Sequence, residues 1–226
     1  MMFGHYWLRN QDIAQNDEIR EKIRENLDSL HYFSERVLDG RIKPPNAKRF
    51  SRLLIIGIGG SALGPQLLYQ ALEGIPEKEK SLSGLEIFFI DNTDPEGMDR
   101  ILKKMGDSLK ETLVLIISKS GGTVETRNGM LETRNAFKSK NLNFAGQAVA
   151  VTGEGSLLAQ LAHSEEWLGV FPMWDWVGGR TSVTSAVGLL PALLQGIDID
   201  AFLEGAKIMD GHTRNPDIRK LSLIHI

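Results

Sequence analysis

The sequence predicts an α/β protein, a doubly wound, flavodoxin-like parallel sheet of five strands preceded by an N-terminal helix. Three observations lead there. Short apolar runs alternate with helical patterns along most of the chain, the order expected of parallel strands joined by crossover helices. The runs are rich in β-branched residues and apolar at consecutive positions, as strands covered on both faces are. Two of them, Leu53-Leu54-Ile55-Ile56 and Leu113-Val114-Leu115-Ile116-Ile117, lead into glycine- and hydroxyl-rich turns, and each turn leads into a helical pattern.

Taken in order, the first element is an amphipathic helix from about Asp17 to Leu38, because Ile19, Ile23, Leu27, Leu30, Phe33 and Val37 recur at helical spacing. Gly40 ends it, and Arg41-Ile42-Lys43-Pro44-Pro45-Asn46 reads as an extended linker. Strands follow at 52–57, 85–90, 112–117 and 146–152, with a weaker fifth near 167–171. Helices are expected between them, near 63–74, 96–105, 123–139 and 155–164. This divides the chain into a helical arm and linker over 1–45, an α/β domain over 46–195 and the helical start of a further region over 196–226. The sequence shows no internal repeat and no low-complexity segment.

Composition narrows the function classes. With 226 residues, 42% of them apolar, the chain can bury a sizeable core. A net charge of −3 supplies no broad basic field, which argues against nucleic acid as a partner and leaves anion recognition to local groups. The absence of cysteine excludes disulfides, thiolate metal sites and a cysteine nucleophile. The N-terminal residues lack the apolar stretch of a signal peptide and no segment reads as a membrane span, so a cytoplasmic setting is expected. His5, His31, His163, His212 and His225 are scattered without metal-ligand spacing and read as surface or structural residues.

The two glycine turns carry the chemistry. In the strand order 2-1-3-4-5, the first and third strands are neighbours and the chain leaves them towards opposite faces, opening a crevice at their carboxyl ends. Gly57-Ile58-Gly59-Gly60-Ser61 and Ser118-Lys119-Ser120-Gly121-Gly122-Thr123 follow those two strands and therefore face one another. Backbone N–H groups in such turns, backed by helix N-termini, favour an anion. A tight strand-to-helix turn explains one such loop equally well. The first loop also fits the G-x-G-x-x-G/A pattern of a dinucleotide site, with Asp91 at the end of the next strand as a ribose-binding acid. A Walker-type site is disfavoured, because Pro65-Gln66 follows Gly64 where a lysine is required, and Pro65 suits the first turn of a helix. The second loop gathers three hydroxyls and one cation within six residues, which suits the three terminal oxygens of a phosphate monoester. Lys119 is either part of that set or a solvated lysine pointing away. In a third constellation, Trp174-Asp175-Trp176-Val177-Gly178-Gly179-Arg180-Thr181-Ser182, the glycine pair can aim Arg180 inward, while a surface ion pair explains Arg180 equally well. Glu125 is expected to serve the helix dipole in a first turn, and Asp91 and Asp94 to shape the turn after the second strand.

Gly57-Ile58-Gly59-Gly60-Ser61-Ala62-Leu63-Gly64-Pro65, Ser118-Lys119-Ser120-Gly121-Gly122-Thr123-Val124-Glu125-Thr126 and Gly178-Gly179-Arg180-Thr181-Ser182 resemble three successive motifs of the glucose-6-phosphate isomerase family, nearest to its bacterial and cyanobacterial branch. Asp91-Asn92-Thr93-Asp94-Pro95 and His5-Tyr6-Trp7-Leu8-Arg9-Asn10 are similar to that branch too. The resemblance implies a sugar-isomerase (SIS) domain, the first of two, and interconversion of glucose 6-phosphate and fructose 6-phosphate with neither metal nor nucleotide cofactor. It implies that Gly60, Ser61, Ser118, Lys119, Ser120 and Thr123 bind the phosphate, that Gly179 and Arg180 also bind the substrate, and that Arg180 lies near the reacting carbons and stabilises an enediolate. It also implies a homodimer for the full-length form.

In similar enzymes the glutamate base, the ring-opening histidine and a late lysine lie downstream of the arginine motif. The resemblance therefore implies that this chain is truncated at both ends, with 221–226 departing from the family pattern and His225 no catalyst. The expectation is a sugar-phosphate-binding portion that lacks its catalytic base, with exposed apolar surface where the rest would dock. The alternatives are a stand-alone, non-catalytic SIS-domain sensor of sugar phosphates and a nicotinamide-dinucleotide-binding enzyme.

Overall fold

The computed structural model describes residues 4–72, 84–214, 216, 217 and 219. Its centre is a five-stranded parallel sheet of β1 (Arg52–Ile56), β2 (Glu86–Ile90), β3 (Thr112–Ser118), β4 (Ala148–Thr152) and β5 (Gly169–Pro172) in the order β2-β1-β3-β4-β5. This is the doubly wound order read from the sequence. The helices are α1 (Asp17–Leu38), α2 (Gly60–Leu72), α3 (Pro95–Met105), α4 (Val124–Ser139), α5 (Leu157–Ser164), α6 (Ala186–Leu194) and α7 (Ile199–Thr213).

The consecutive apolar residues of the strands serve two faces at once. Leu53, Ile55, Leu113, Leu115, Ile117, Val149 and Val151 point to one side, where Leu30, Phe33 and Val37 of α1, Leu68 of α2, Leu189 and Leu190 of α6 and Leu203 of α7 meet them. Their neighbours Leu54, Ile56, Val114, Ile116, Ala148 and Ala150 point to the other, against Met98 and Met105 of α3, Met130 and Phe137 of α4 and Leu158 of α5. All seven residues of β3 are buried, as the central strand of such a sheet requires. The N-terminal helix thus packs on the sheet, with Asn16 accepting from the Ile19 N–H to cap it and Gly40 following its C-cap Asp39.

Several boundaries depart from the expected ones. Helix α2 begins at Gly60, three residues early, so Ser61 belongs to its first turn and Pro65 to its second, correcting the placement of the proline in the first turn. Strand β4 begins at Ala148 because Ala145–Gln147 forms a 3-10 turn, held by the buried Gln147 amide donating to the Leu109 and Thr112 carbonyls at 2.9 and 2.7 Å. Helix α6 has no counterpart in the expected element list, because eight of its nine residues are buried and an element apolar on every side shows no amphipathic period. The end of the helix expected over 63–74 falls partly outside the described residues, as do 221–226 with His225.

Close packing of α4 on the sheet runs through Gly129. A β-carbon there would stand 2.9 Å from the Cγ2 methyls of both Ile56 and Ile90, short branches that cannot swing aside. Gly129→Ala is expected to destabilise the fold by about 1–3 kcal/mol, read as a lowered denaturation midpoint at unchanged slope.

Candidate functional site

The site is assembled where β1 and β3 end. Ile56 pairs in register with Ile116, so the loop after β1 and the loop after β3 leave the sheet side by side. The first passes to α2 on one face and the second to α4 on the other. Gly59, at φ +57°, makes the sharp entry into α2, and Gly121, at φ +69°, makes the turn before α4, a conformation in which a larger side chain is strained.

Helix capping singles out these two loops. The helices α1, α3, α5, α6 and α7 each have an N-cap side chain, Asn16, Asp94, Ser156, Ser185 and Asp198, accepting hydrogen bonds from first-turn N–H groups. Helix α2 is preceded by Gly59, which has no side chain, and Thr123 before α4 makes no capping bond. The positive ends of α2 and α4 therefore remain without a side-chain cap on either side of the crevice.

The hydroxyls are arranged around those ends. The Ser118 Oγ donates to the Thr123 Oγ1 at 3.2 Å, and the Gly122 N–H donates to the Ser120 Oγ at 3.2 Å. Ser118 is buried, whereas Ser120 and Gly122 are exposed. Ser61 lies in the first turn of α2. Behind the second loop a cavity of about 240 Å³ opens between α4 and α5, with Ser118 and Thr123 at one end and Ile116, Met130 and Leu158 along it.

The third motif closes on the first. Residues Gly179–Thr184 form a 3-10 turn in which the Ser182 Oγ lies 2.8 Å from the Gly179 carbonyl oxygen and 3.4 Å from that of Gly60. A β-carbon on Gly60 would run into the Gly179 carbonyl, so the two backbones touch with nothing between them. Arg180 is exposed and forms no ion pair or hydrogen bond among the described residues. It lines a cavity of about 540 Å³ with Gly60, Gly179 and Ser182, whose apolar wall is Leu63 and Leu67 of α2. Both leucines are exposed, as are Val124 and Leu157 at the starts of α4 and α5.

Lys119 is partly exposed, and its ammonium bonds away from the hydroxyls of its own loop. Its ammonium donates to the backbone carbonyls of Asp175 at 3.2 Å and Val177 at 3.1 Å, bridging to the arginine motif. The residues beyond that bridge form an aromatic clasp. Trp174 and Trp176 stack with ring centroids 4.8 Å apart, Trp7 lies 5.3 Å from Trp176, and the Gly4 N–H donates to the Trp176 carbonyl at 3.0 Å. The same N-terminal segment reaches α7, where Arg9 grips Asp210 through two bonds of 2.6 and 2.8 Å. The sequence reading gave Trp7 and Ser182 no role; a hydroxyl three positions after a glycine pair was the available signal for Ser182.

The other expected site residues fall as follows. Asp91 accepts from the Gln66 side chain at 2.7 Å, which ties the end of β2 to α2. Asp94 caps α3 by accepting from the Glu96 and Gly97 N–H groups, and Glu125 stands in the first turn of α4. His163 and His212 lie in the last turns of α5 and α7, and His31 lies 3.6 Å from Asp200.

A model of the phosphoglucose isomerase family matches residues 4–222. Glucose-6-phosphate isomerases of Geotalea daltonii and Citrifermentans bemidjiense are 56% and 58% identical over 96% and 95% of this chain, and one from a Nostoc species is 55% identical over 96%. The chain spans about 40% of the length of these relatives. The crystal structure of a glucose-6-phosphate isomerase from Chlamydia trachomatis superposes with a TM-score of 0.77 at 32% identity, covering 95% of this chain and 39% of that one. A hypothetical protein from Thermus thermophilus superposes with a TM-score of 0.75 at 27% identity, covering 99% of this chain and 48% of that one.

Two measurements check the assembly of the site. Gly60→Ala must push the Gly179 turn off α2, and is expected to cost about 1–3 kcal/mol and to speed amide exchange at 179–184. His5, in the clasp, has its pKa lowered by burial, with the charge of Arg9 adding to the effect and Asp210 opposing it. Its Nδ1 is buried without a hydrogen-bond partner. The unfolded chain therefore binds more protons than the folded one as pH falls through the imidazole range, so stability is full above about pH 6.5 and declines below it. Replacing His5 by Gln is expected to flatten that decline in a denaturation series between pH 7 and 5.

Proposed function

Because the chain belongs to the phosphoglucose isomerase family, we propose that its crevice holds the phosphate of a hexose 6-phosphate for the interconversion of glucose 6-phosphate and fructose 6-phosphate. The observation that carries this reading is the pair of helices, α2 and α4, that lack a side-chain cap and start from the ends of adjacent strands. A phosphate monoester brings three terminal oxygens and a charge near −2, and accepts many hydrogen bonds at once. First-turn N–H groups of both helices, together with the hydroxyls of Ser61, Ser118, Ser120 and Thr123, supply donors in that number. Gly60 is the position at which the backbone must come close, and the 46–195 region is the unit that does the holding.

The isomerisation moves a proton between C2 and C1 through an enediolate, so negative charge develops on a sugar oxygen beside those carbons. Arg180 carries a guanidinium with no partner among the described residues, on a turn packed directly against α2. In this reading its charge meets the developing oxyanion, and the sugar extends from the phosphate into the cavity that Arg180 and Gly179 line. That cavity's described lining has no carboxylate and no histidine. In keeping with the resemblance, the proton-transferring base and the ring-opening acid are assigned to sequence downstream of the arginine motif. A cytoplasmic homodimer is the expected form of the complete enzyme.

Calorimetric titration of this chain tests the reading. Inorganic phosphate and glucose 6-phosphate are expected to bind and glucose is not. Ser120→Ala and Thr123→Val should each weaken both phosphate ligands about tenfold, the worth of a hydrogen bond to a charged group. Arg180→Ala should weaken glucose 6-phosphate about tenfold and leave inorganic phosphate unchanged. Glucose binding as tightly as its phosphate would remove the phosphate cradle from the account, and turnover by this chain alone would show that its base lies within it.

A further inference from the structure

We propose that Lys119 is a positioning residue, whose ammonium ties the phosphate loop to the Asp175–Val177 turn and so fixes where Arg180 stands, without itself binding phosphate. This rests on the function proposed above and assigns one of its residues a different task. In the sequence, Lys119 lies between two hydroxyl residues and reads as a third ligand of the same anion. In three dimensions its Nζ is 3.2 Å from the Asp175 carbonyl oxygen, 3.1 Å from that of Val177 and 3.5 Å from the Asp175 Oδ1. An ammonium has three donors, and three oxygens surround this one. The Asp175 carboxylate is fully exposed and contributes little, so the two carbonyls are the partners that hold.

The tether is anchored at its other end. The Lys119 carbonyl accepts from the Gly153 N–H at 2.9 Å, which fixes residue 119 to the segment that leaves β4. Val177, the residue held, stands three positions before Arg180, and the two residues between them are glycines with no side chains of their own to hold them in place. On the far side of Arg180, Ser182 is fastened to the carbonyl of Gly179 and lies beside that of Gly60. Arg180 therefore rides on a short bridge, held on one side by Lys119 together with the tryptophan clasp around Val177 and on the other by the start of α2. Removing the Lys119 tie leaves the phosphate donors in place and loosens the setting of the guanidinium, with the clasp and the Gly60 contact as its remaining holds.

Lys119→Met keeps the methylene stem and deletes the ammonium. Amide exchange of the free protein is followed across 174–182, and affinities for inorganic phosphate and glucose 6-phosphate are measured with and without Arg180→Ala. Exchange over 174–182 is expected to rise about tenfold while the strands are unaffected. Inorganic phosphate should bind within about twofold of the parent, whereas glucose 6-phosphate should bind about tenfold more weakly; in the Arg180→Ala background the same change should cost less than about twofold. Lys119→Arg, which keeps a cation able to donate to the same carbonyls, should restore most of the affinity. Equal losses for both ligands would make Lys119 a direct phosphate ligand, and losses that add to those of Arg180→Ala would make it independent of Arg180; either overturns the proposal, as does unchanged exchange over 174–182. A parent protein that binds neither ligand sinks the function proposed above, while the exchange measurement still decides whether the tether exists.

Discussion

The arrangement depends on one topological constraint, the pairing of β1 with β3 while the chain departs from them to opposite faces of the sheet. Neither α2 nor α4 then covers the ends of the two strands, and both helices begin there. An N-cap side chain is worth about 1 kcal/mol, and five helices of the described residues have one. The two without a cap are the two that flank the crevice. A bound anion would restore at both ends at once what the missing caps forgo.

The sheet can carry that omission because its interior is so thoroughly buried. Leu113, Val114, Leu115, Ile116 and Ile117 of β3 are at most 1% exposed, and full burial of such a side chain contributes about 1.5–3 kcal/mol. One strand therefore outweighs two absent caps several times over. Rigid strands also hold the loops at a fixed separation, which matters more for a cradle than the strength of any single donor. The arginine turn lacks a strand of its own beneath it. It is held by the Lys119 bridge, the Gly60 contact and the tryptophan clasp, each contributed by a different part of the chain.

Much of this was legible in the sequence, for reasons that differ element by element. Helix α1 was found at its observed ends because its apolar residues keep a helical period and glycine follows it. The strand order followed from alternation of elements, and the two loops from the chemistry of their residues. What escaped had no side-chain signature. Helix α6 is apolar all round, so its period was invisible. Pro65 was placed a turn early because α2 starts within the glycine run itself. Lys119 was grouped with its hydroxyl neighbours because the oxygens it meets are backbone carbonyls 56 and 58 positions away, and any residue type carries one of those.

The tryptophan clasp has an optical consequence. Three of the four indoles in the protein, those of Trp7, Trp174 and Trp176, belong to it, while Trp167 sits apart against Phe144 under α5. Most of the indole absorbance of this protein therefore arises beside the arginine turn. The near-parallel rings of Trp174 and Trp176, inclined by 11°, are placed to couple their transitions into a paired dichroic band. The chain carries a built-in gauge of the one segment whose setting decides where its free guanidinium points, readable without a label.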